Sequence, residues 1–142
     1  MNAIALIGLS GSGKSTVGPL LAERLGLPHL DVDLVLEQRE GRTIREIFDT
    51  DGEPYFRALE REITIELLAA PGVLSLGGGA PMTRAIADAL DGHPVVWLRV
   101  EPESSAQRIG RDEGRPLLAG QDAVVRLRKM LSERAPTYAR LA

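Results

Sequence analysis

The sequence predicts an α/β fold, a parallel β-sheet sandwiched by helices. Two observations carry that prediction. Short apolar runs alternate with segments of helical periodicity along the whole chain. The first run, residues 3–7, is apolar at every position, as a central strand buried on both faces requires. In such a sheet ligands bind beyond the carboxyl ends of the strands. Four polar or glycine-rich stretches are expected at that edge: residues 8–16, 31–33, 77–79 and the loop after Ile109.

The elements follow in order. A helix starts near Lys14, with Val17, Leu20, Leu21 and Leu25 at helical spacing. Gly26 stops it and Pro28 lies just beyond. A short strand at 29–32 ends in Asp31-Val32-Asp33, and helical pattern resumes over 34–40. Thr43 and Glu46 have capping-box spacing for a short helix ending near Phe48. Asp51 is the expected N-cap of the next helix, with Pro54 in its first turn. Leu59, Ile63 and Leu67 mark its apolar face, and Pro71-Gly72 ends it. A third strand spans 73–76 and runs into Gly77-Gly78-Gly79. Thr83 caps a helix through Leu90, which Asp91-Gly92 stops. A fourth strand spans 95–100 and Pro102 opens a helix to about Ile109. Residues 110–120 carry no period and read as a mobile loop. The last helix is expected over 122–134, broken by Pro136.

A chain of 142 residues fits one domain with a real core. Hydrophobic residues at 44% and charged residues at 26% suit a globular protein. A net charge of −3 argues against a general nucleic-acid surface. With no cysteine and two histidines, His29 and His93, a typical zinc site is not expected. No apolar run approaches the ~20 residues that span a bilayer, and no signal peptide is evident, so a cytoplasmic location is expected.

Residues 8–15 satisfy G-x-x-x-x-G-K-[ST], between a predicted strand and a predicted helix. Glycines let backbone N–H groups converge on phosphate oxygens, and the helix N-terminus favours the same anion. Lys14 should reach the β- and γ-phosphates, and the Ser15 hydroxyl should ligate Mg²⁺. This pattern predicts binding of a nucleoside triphosphate and leaves the phosphoryl acceptor open.

The acceptor side is written in weaker signals. Asp31 and Asp33, two apart at a strand end, should point to one face. Beside a phosphate loop they can hold Mg²⁺ waters and accept a substrate proton; alone they read as solvated turn residues. Arg57 and Arg134 each offer a two-pronged donor suited to a carboxylate, or are surface charges. Glu53 and Glu60 are spaced to pair with Arg57. Three consecutive glycines at 77–79 suit close approach of backbone to a ligand, where a simple turn needs one. Arg108, Arg111 and Arg115 lie in or beside the expected loop, and Pro116-Leu117-Leu118 gives it an apolar anchor. A lid carrying arginine can close on the γ-phosphate.

Taken in order, these stretches resemble the shikimate kinases, small relatives of the nucleoside monophosphate kinases with a P-loop NTPase fold. The matching residues are G-x-S-G-S-G-K-S-T at 8–16, D-x-D at 31–33 and F-x-x-x-G-E-x-x-F-R at 48–57. They continue with S-L-G-G-G at 75–79, R-P-L-L at 115–118 and R-x-P-x-Y at 134–138. The resemblance covers nearly the whole chain as one domain, with a shikimate-binding region at about 34–60 and a lid at about 109–120. It implies transfer of the ATP γ-phosphoryl group to the 3-hydroxyl of shikimate, a step of chorismate and aromatic amino-acid synthesis.

By matching positions, Gly11, Ser12, Gly13, Lys14, Ser15, Thr16, Arg108 and Arg115 would hold ATP. Asp33, Arg57, Gly78, Gly79 and Arg134 would hold shikimate. Lys14, Asp33 and Arg115 would carry the chemistry, and Ser15 and Asp31 would position Mg²⁺. The resemblance implies a monomer that binds neither nucleic acid nor membrane. It also implies a further strand and helix after the last predicted helix, and the sequence ends before them at Ala142. In the family's sheet order that leaves strand 95–100 at an edge, open to self-association, and removes one wall of the adenine pocket. Two other readings remain: another small-molecule kinase of the same superfamily, such as a gluconate kinase, or a non-catalytic binding module.

Overall fold

The apolar runs pair into one parallel sheet with helices on both faces. A computed structural model describes residues 3–9, 11–100 and 120–142. Strand β1 is Ile4–Ile7, followed by helix α1, Lys14–Leu25, and strand β2, His29–Asp31. Helices α2, Val32–Glu40, α3, Ile44–Asp51, and α4, Glu53–Leu68, come next. Strand β3, Val73–Ser75, leads to a 3₁₀ turn at Ala80–Met82 and helix α5, Arg84–Ala89. Strand β4, Val95–Trp97, and helix α6, Gly120–Leu141, complete the described elements. The expected helix at 102–109, the lid at 109–120 with Arg108, Arg111 and Arg115, and the R-P-L-L stretch fall on or within residues 101–120, and all but Gly120 lie outside the described residues.

Among those residues the sheet order is β2-β3-β1-β4, all parallel. Alternation along β1 divides the core. Ala5 and Ile7 pack with Leu36, Phe56, Ile63, Ile86 and Tyr138, from helices α2, α4, α5 and α6. Leu6 faces the other way, with Ala22 of α1 and Val73 of β3. β4 lies at an edge, where Val96 is exposed. No helix among the described residues is long and apolar enough to cross a membrane.

Several expectations need correction. The buried face of α1 is Gly18 and Ala22, whereas Val17, Leu20 and Leu25 are exposed. Small residues let the helix lie close on the sheet, so the leucine periodicity marks the wrong stripe. Asp31 and Asp33 are not a strand pair. Asp31 is the N-cap of α2 and Asp33 lies in its first turn, with Asp31 Oδ1 accepting from the backbone N–H groups of Asp33 and Leu34. Asp51 ends α3 instead of capping α4, and its carboxylate pairs with Arg42 at 2.5 Å. Gly52 takes the cap position. The capping box of Thr43 and Glu46 is present as expected.

Pro136 does not break α6, which continues to Leu141. The proline removes one ladder bond. Buried contacts on both sides, Leu127 before it and Tyr138 after it, hold the helix on course.

The contact of α1 with the sheet sets a test. A Cβ on Gly18 would lie 2.4 Å from His29 Nε2 and 3.0 Å from Ser75 Oγ. In an open helix Gly→Ala gains up to ~1 kcal/mol, but overpacking costs ~1–3 kcal/mol. Gly18→Ala is therefore expected to lower the melting temperature, and His29→Ala in the same chain to restore part of it. A rise in melting temperature for Gly18→Ala would contradict the close packing.

Candidate active site

Local chemistry makes the phosphate loop. Gly13, at φ 100°, turns the chain into α1 in a conformation that a Cβ disfavours. Its carbonyl accepts from Val17 N at 2.8 Å, while the first N–H groups of α1 point out of the helix end. Lys14 folds back over its own loop. Its ammonium donates to the Gly8 carbonyl at 2.5 Å and the Leu9 carbonyl at 2.9 Å, and to Ser12 Oγ at 3.4 Å. Burial pushes Lys14 down to about 8, against the pull of Asp33 and Asp31. Ser12 is buried in the loop, and Ser15 and Thr16 are exposed at the start of α1.

Beside this loop β3 emerges into the three glycines, and charged groups crowd around them. A Cβ on Gly77 would lie 3.1 Å from both Asp33 Oδ1 and Glu60 Oε2. A Cβ on Gly79 would lie 2.7 Å from Arg57 Nη2. Arg57 donates to Glu60 Oε1 at 2.8 Å, and its guanidinium lies over the Phe56 ring, 5.1 Å from the centroid. Glu60 is 1% exposed, on the core face of α4, which explains why Arg57 is fixed and not merely flanked. Glu60 is thus the partner of Arg57. The charge of Arg134, on α6, acts on Lys14, Glu60 and Tyr138, so α6 delivers it to the same centre.

Asp33 Oδ1 is buried with no hydrogen-bond partner. Burial, then the negative charges of Asp31 and Glu60, raise Asp33 to about 6, against the opposing pull of Lys14. Burial also raises Glu60, opposed by Arg57. An orphaned carboxylate oxygen near an arginine fork and an ammonium has the chemistry to accept a hydrogen bond from a hydroxyl on an anionic molecule.

Asp31 and Ser15 fit a phosphate-bound Mg²⁺. Asp31 spends Oδ1 on its capping role and has a second oxygen, and Ser15 offers an exposed hydroxyl. Among the described residues no group of three or more His, Cys, Asp or Glu stands ready to hold a metal. Mg²⁺ sites built on phosphates need only one or two protein oxygens.

Two contributors, Ser75 and Tyr138, lay within the matching stretches but were given no role from the sequence. Ser75 Oγ bonds His29 Nε2 at 2.8 Å and donates to the Lys14 carbonyl at 3.4 Å, supporting the phosphate loop from below. Tyr138, fully buried, donates its O–H to the Gly78 carbonyl at 2.5 Å. Tyr138 stood in the matching R-x-P-x-Y stretch with no role attached, and its place one turn after Arg134 requires a helix running through Pro136.

The shikimate kinase family model matches residues 10–142. The chain belongs to the shikimate kinase family. It is 51% identical over 96% of its length to a shikimate kinase of Thermobifida fusca, covering 80% of that relative. It is 49% identical to a shikimate kinase of Mycobacterium marinum, over 96% of the chain and 75% of the relative. A solved shikimate kinase of Acinetobacter baumannii, in complex with shikimate, superposes with a TM-score of 0.90 at 39% identity, covering the whole chain and 80% of its own. A gluconokinase of Sinorhizobium meliloti shares only the fold, at 23% identity and a TM-score of 0.56. The shikimate kinase fold therefore accounts for the parallel sheet and its phosphate loop.

The crowded carboxylates of this shikimate kinase site have a stability consequence. Asp33 is raised in the fold, so its ionised form is disfavoured there. Folding stability from this group is full below its unfolded value of 3.8 and is lost as pH rises through about 6. Asp33→Asn should therefore be more stable than the wild type at neutral pH, by up to about 3 kcal/mol. Thermal melts should show that advantage vanish towards pH 4. A variant that is no more stable at neutral pH would contradict the burial of this charge.

Proposed function

We propose that this chain transfers the γ-phosphoryl group of ATP to the 3-hydroxyl of shikimate, giving shikimate 3-phosphate and ADP. The observation that carries the acceptor is the set Asp33, Arg57, Glu60 and Arg134 around the side-chain-free exit of β3, next to Lys14. Shikimate is a small carboxylate with adjacent ring hydroxyls. Two guanidinium groups complement the carboxylate, and the unpartnered Asp33 oxygen complements a hydroxyl proton.

The roles follow from charge and placement. Arg57 and Arg134 clamp the acceptor carboxylate, with Gly78 and Gly79 offering backbone at close range. Asp33 orients the 3-hydroxyl and takes its proton as the new O–P bond forms. Lys14 leaves the Gly8 and Leu9 carbonyls for the β- and γ-phosphates and neutralises charge in the transition state. The amides of residues 11–16 cradle the triphosphate. Ser15 and Asp31 would hold Mg²⁺, which would supply neutralisation of phosphate charge. Arg115 and Arg108, outside the described residues, are assigned to the phosphoryl group and the adenine. The chemistry needs alignment and neutralised charge more than covalent help.

A coupled ADP-release assay with shikimate, gluconate and nucleoside monophosphates tests the reading. Turnover is expected with shikimate alone, and turnover only with gluconate would overturn the acceptor. Arg57→Ala should raise the shikimate KM with little change in the ATP KM, and Lys14→Ala should lower kcat by roughly 10² or more. Intact shikimate affinity in Arg57→Ala would remove the clamp.

The pH dependence is a separate check. kcat/KM reports the free enzyme. It should rise as Asp33 ionises near 6 and fall as Lys14 loses its proton near 8. A profile flat between pH 5 and 9 would contradict one or both assignments.

A further inference from the structure

Arg134 has a fixing problem that Arg57 does not. Arg57 is held by a buried carboxylate on its own helix, one turn away. Arg134 lies in the one turn of α6 where the ladder is interrupted, because Pro136 has no N–H for the Ser132 carbonyl. A helix that lacks this bond bends easily at that turn. An arginine there needs support from outside the backbone if it is to hold a substrate in one geometry.

Tyr138 is placed to give that support. It sits one turn after Arg134, fully buried, with its ring 5.5 Å from that of Trp97 on β4. Its phenol donates to the Gly78 carbonyl at 2.5 Å, and the positive charge of Arg134, one turn earlier on the same helix, acts on that phenol. One hydroxyl thus joins the cation of α6 to the glycine exit of β3, sixty residues away in sequence. The flanking glycines of that exit pack against Asp33, Glu60 and Arg57.

We propose that Tyr138 is a positioning residue for the acceptor, its hydroxyl locking Arg134 and the Gly78 backbone into register with Arg57. The proposal rests on the kinase reading above. Tyr138 touches no reacting atom in this scheme. It fixes the distance between two clamp elements that come from different parts of the chain. Losing the hydroxyl leaves the Gly78 carbonyl without its partner and frees Arg134 to swing with the proline turn. The phosphate loop stands on α1 and β1 and does not depend on this bond. The defect should therefore appear in acceptor binding and spare the nucleotide.

The experiment compares wild type, Tyr138→Phe, Arg134→Ala and the double variant, by steady-state kinetics and by calorimetric binding of shikimate. Tyr138→Phe is expected to raise the shikimate KM and Kd about 5–10-fold, the effect of one lost hydrogen bond, with the ATP KM changed less than about two-fold. In the Arg134→Ala background the same substitution should add less than about two-fold, because the residue it positions is gone. A purely structural role would lower the active fraction and kcat and leave both KM values alone. That pattern overturns the proposal, as do an unchanged shikimate Kd, an equal loss for both substrates, or a full additive effect without Arg134. If Tyr138→Phe folds poorly, all four proteins are compared in molar trimethylamine N-oxide, which favours the compact state. Wild type that fails to bind shikimate overturns the kinase reading as well. Wild type that binds while Tyr138→Phe binds equally overturns the role of Tyr138 alone.

Discussion

The site depends on a strand exit without side chains. Where β3 leaves the sheet, Gly77 and Gly79 allow two carboxylates and a guanidinium to approach within the space that a Cβ would take. That crowding sets the geometry of everything acidic and basic beside the phosphate loop. Glu60 could not reach Gly77 from the core face of α4, nor Arg57 reach Gly79, if those positions carried side chains. The same exit receives the phenol of Tyr138 at Gly78. Residues from α2, α4 and α6 are thereby referred to one short piece of backbone.

The charge balance at that exit explains why the site is strained electrostatically. Asp33 and Glu60 are brought close together and out of water, and both carboxyls are raised. Arg57 answers Glu60, but Asp33 keeps a buried oxygen without a partner. Lys14 is desolvated too and satisfies itself on loop carbonyls. Free protein of this kind holds its functional groups in an uncomfortable state that ligands of the right charge relieve. In the proposed reaction a triphosphate would answer Lys14, and a hydroxylated carboxylate would answer Arg57, Arg134 and Asp33. Stability and activity then pull apart, as they do wherever buried charges are kept for function.

Helix positions around the site follow packing more than propensity. α1 approaches the sheet through Gly18 and Ala22, which keeps Lys14 close above Ser75 and His29. α6 runs on through Pro136 because Tyr138 has a buried place to go on the far side. In both cases the local signal, a leucine stripe or a proline, was outweighed by a tertiary contact worth more than the local preference.

The sequence by itself determined the fold class, the order of strands and helices and the phosphate loop. Those follow from periodicity and from glycines and a lysine at fixed spacing, which act over a few residues. It also showed Asp33, Arg57, Arg134 and the triple glycine as candidates, and the Arg57–Glu60 pair as one of two possibilities. Only the tertiary structure decided that Asp31 and Asp33 are a helix cap and a first-turn residue, that Glu60 is buried on the core face, and that Tyr138 closes on Gly78. Those facts depend on which faces of α2, α4 and α6 meet the end of β3. Contacts between residues dozens of positions apart leave no period in the chain, because burial and close packing choose them after the elements have formed.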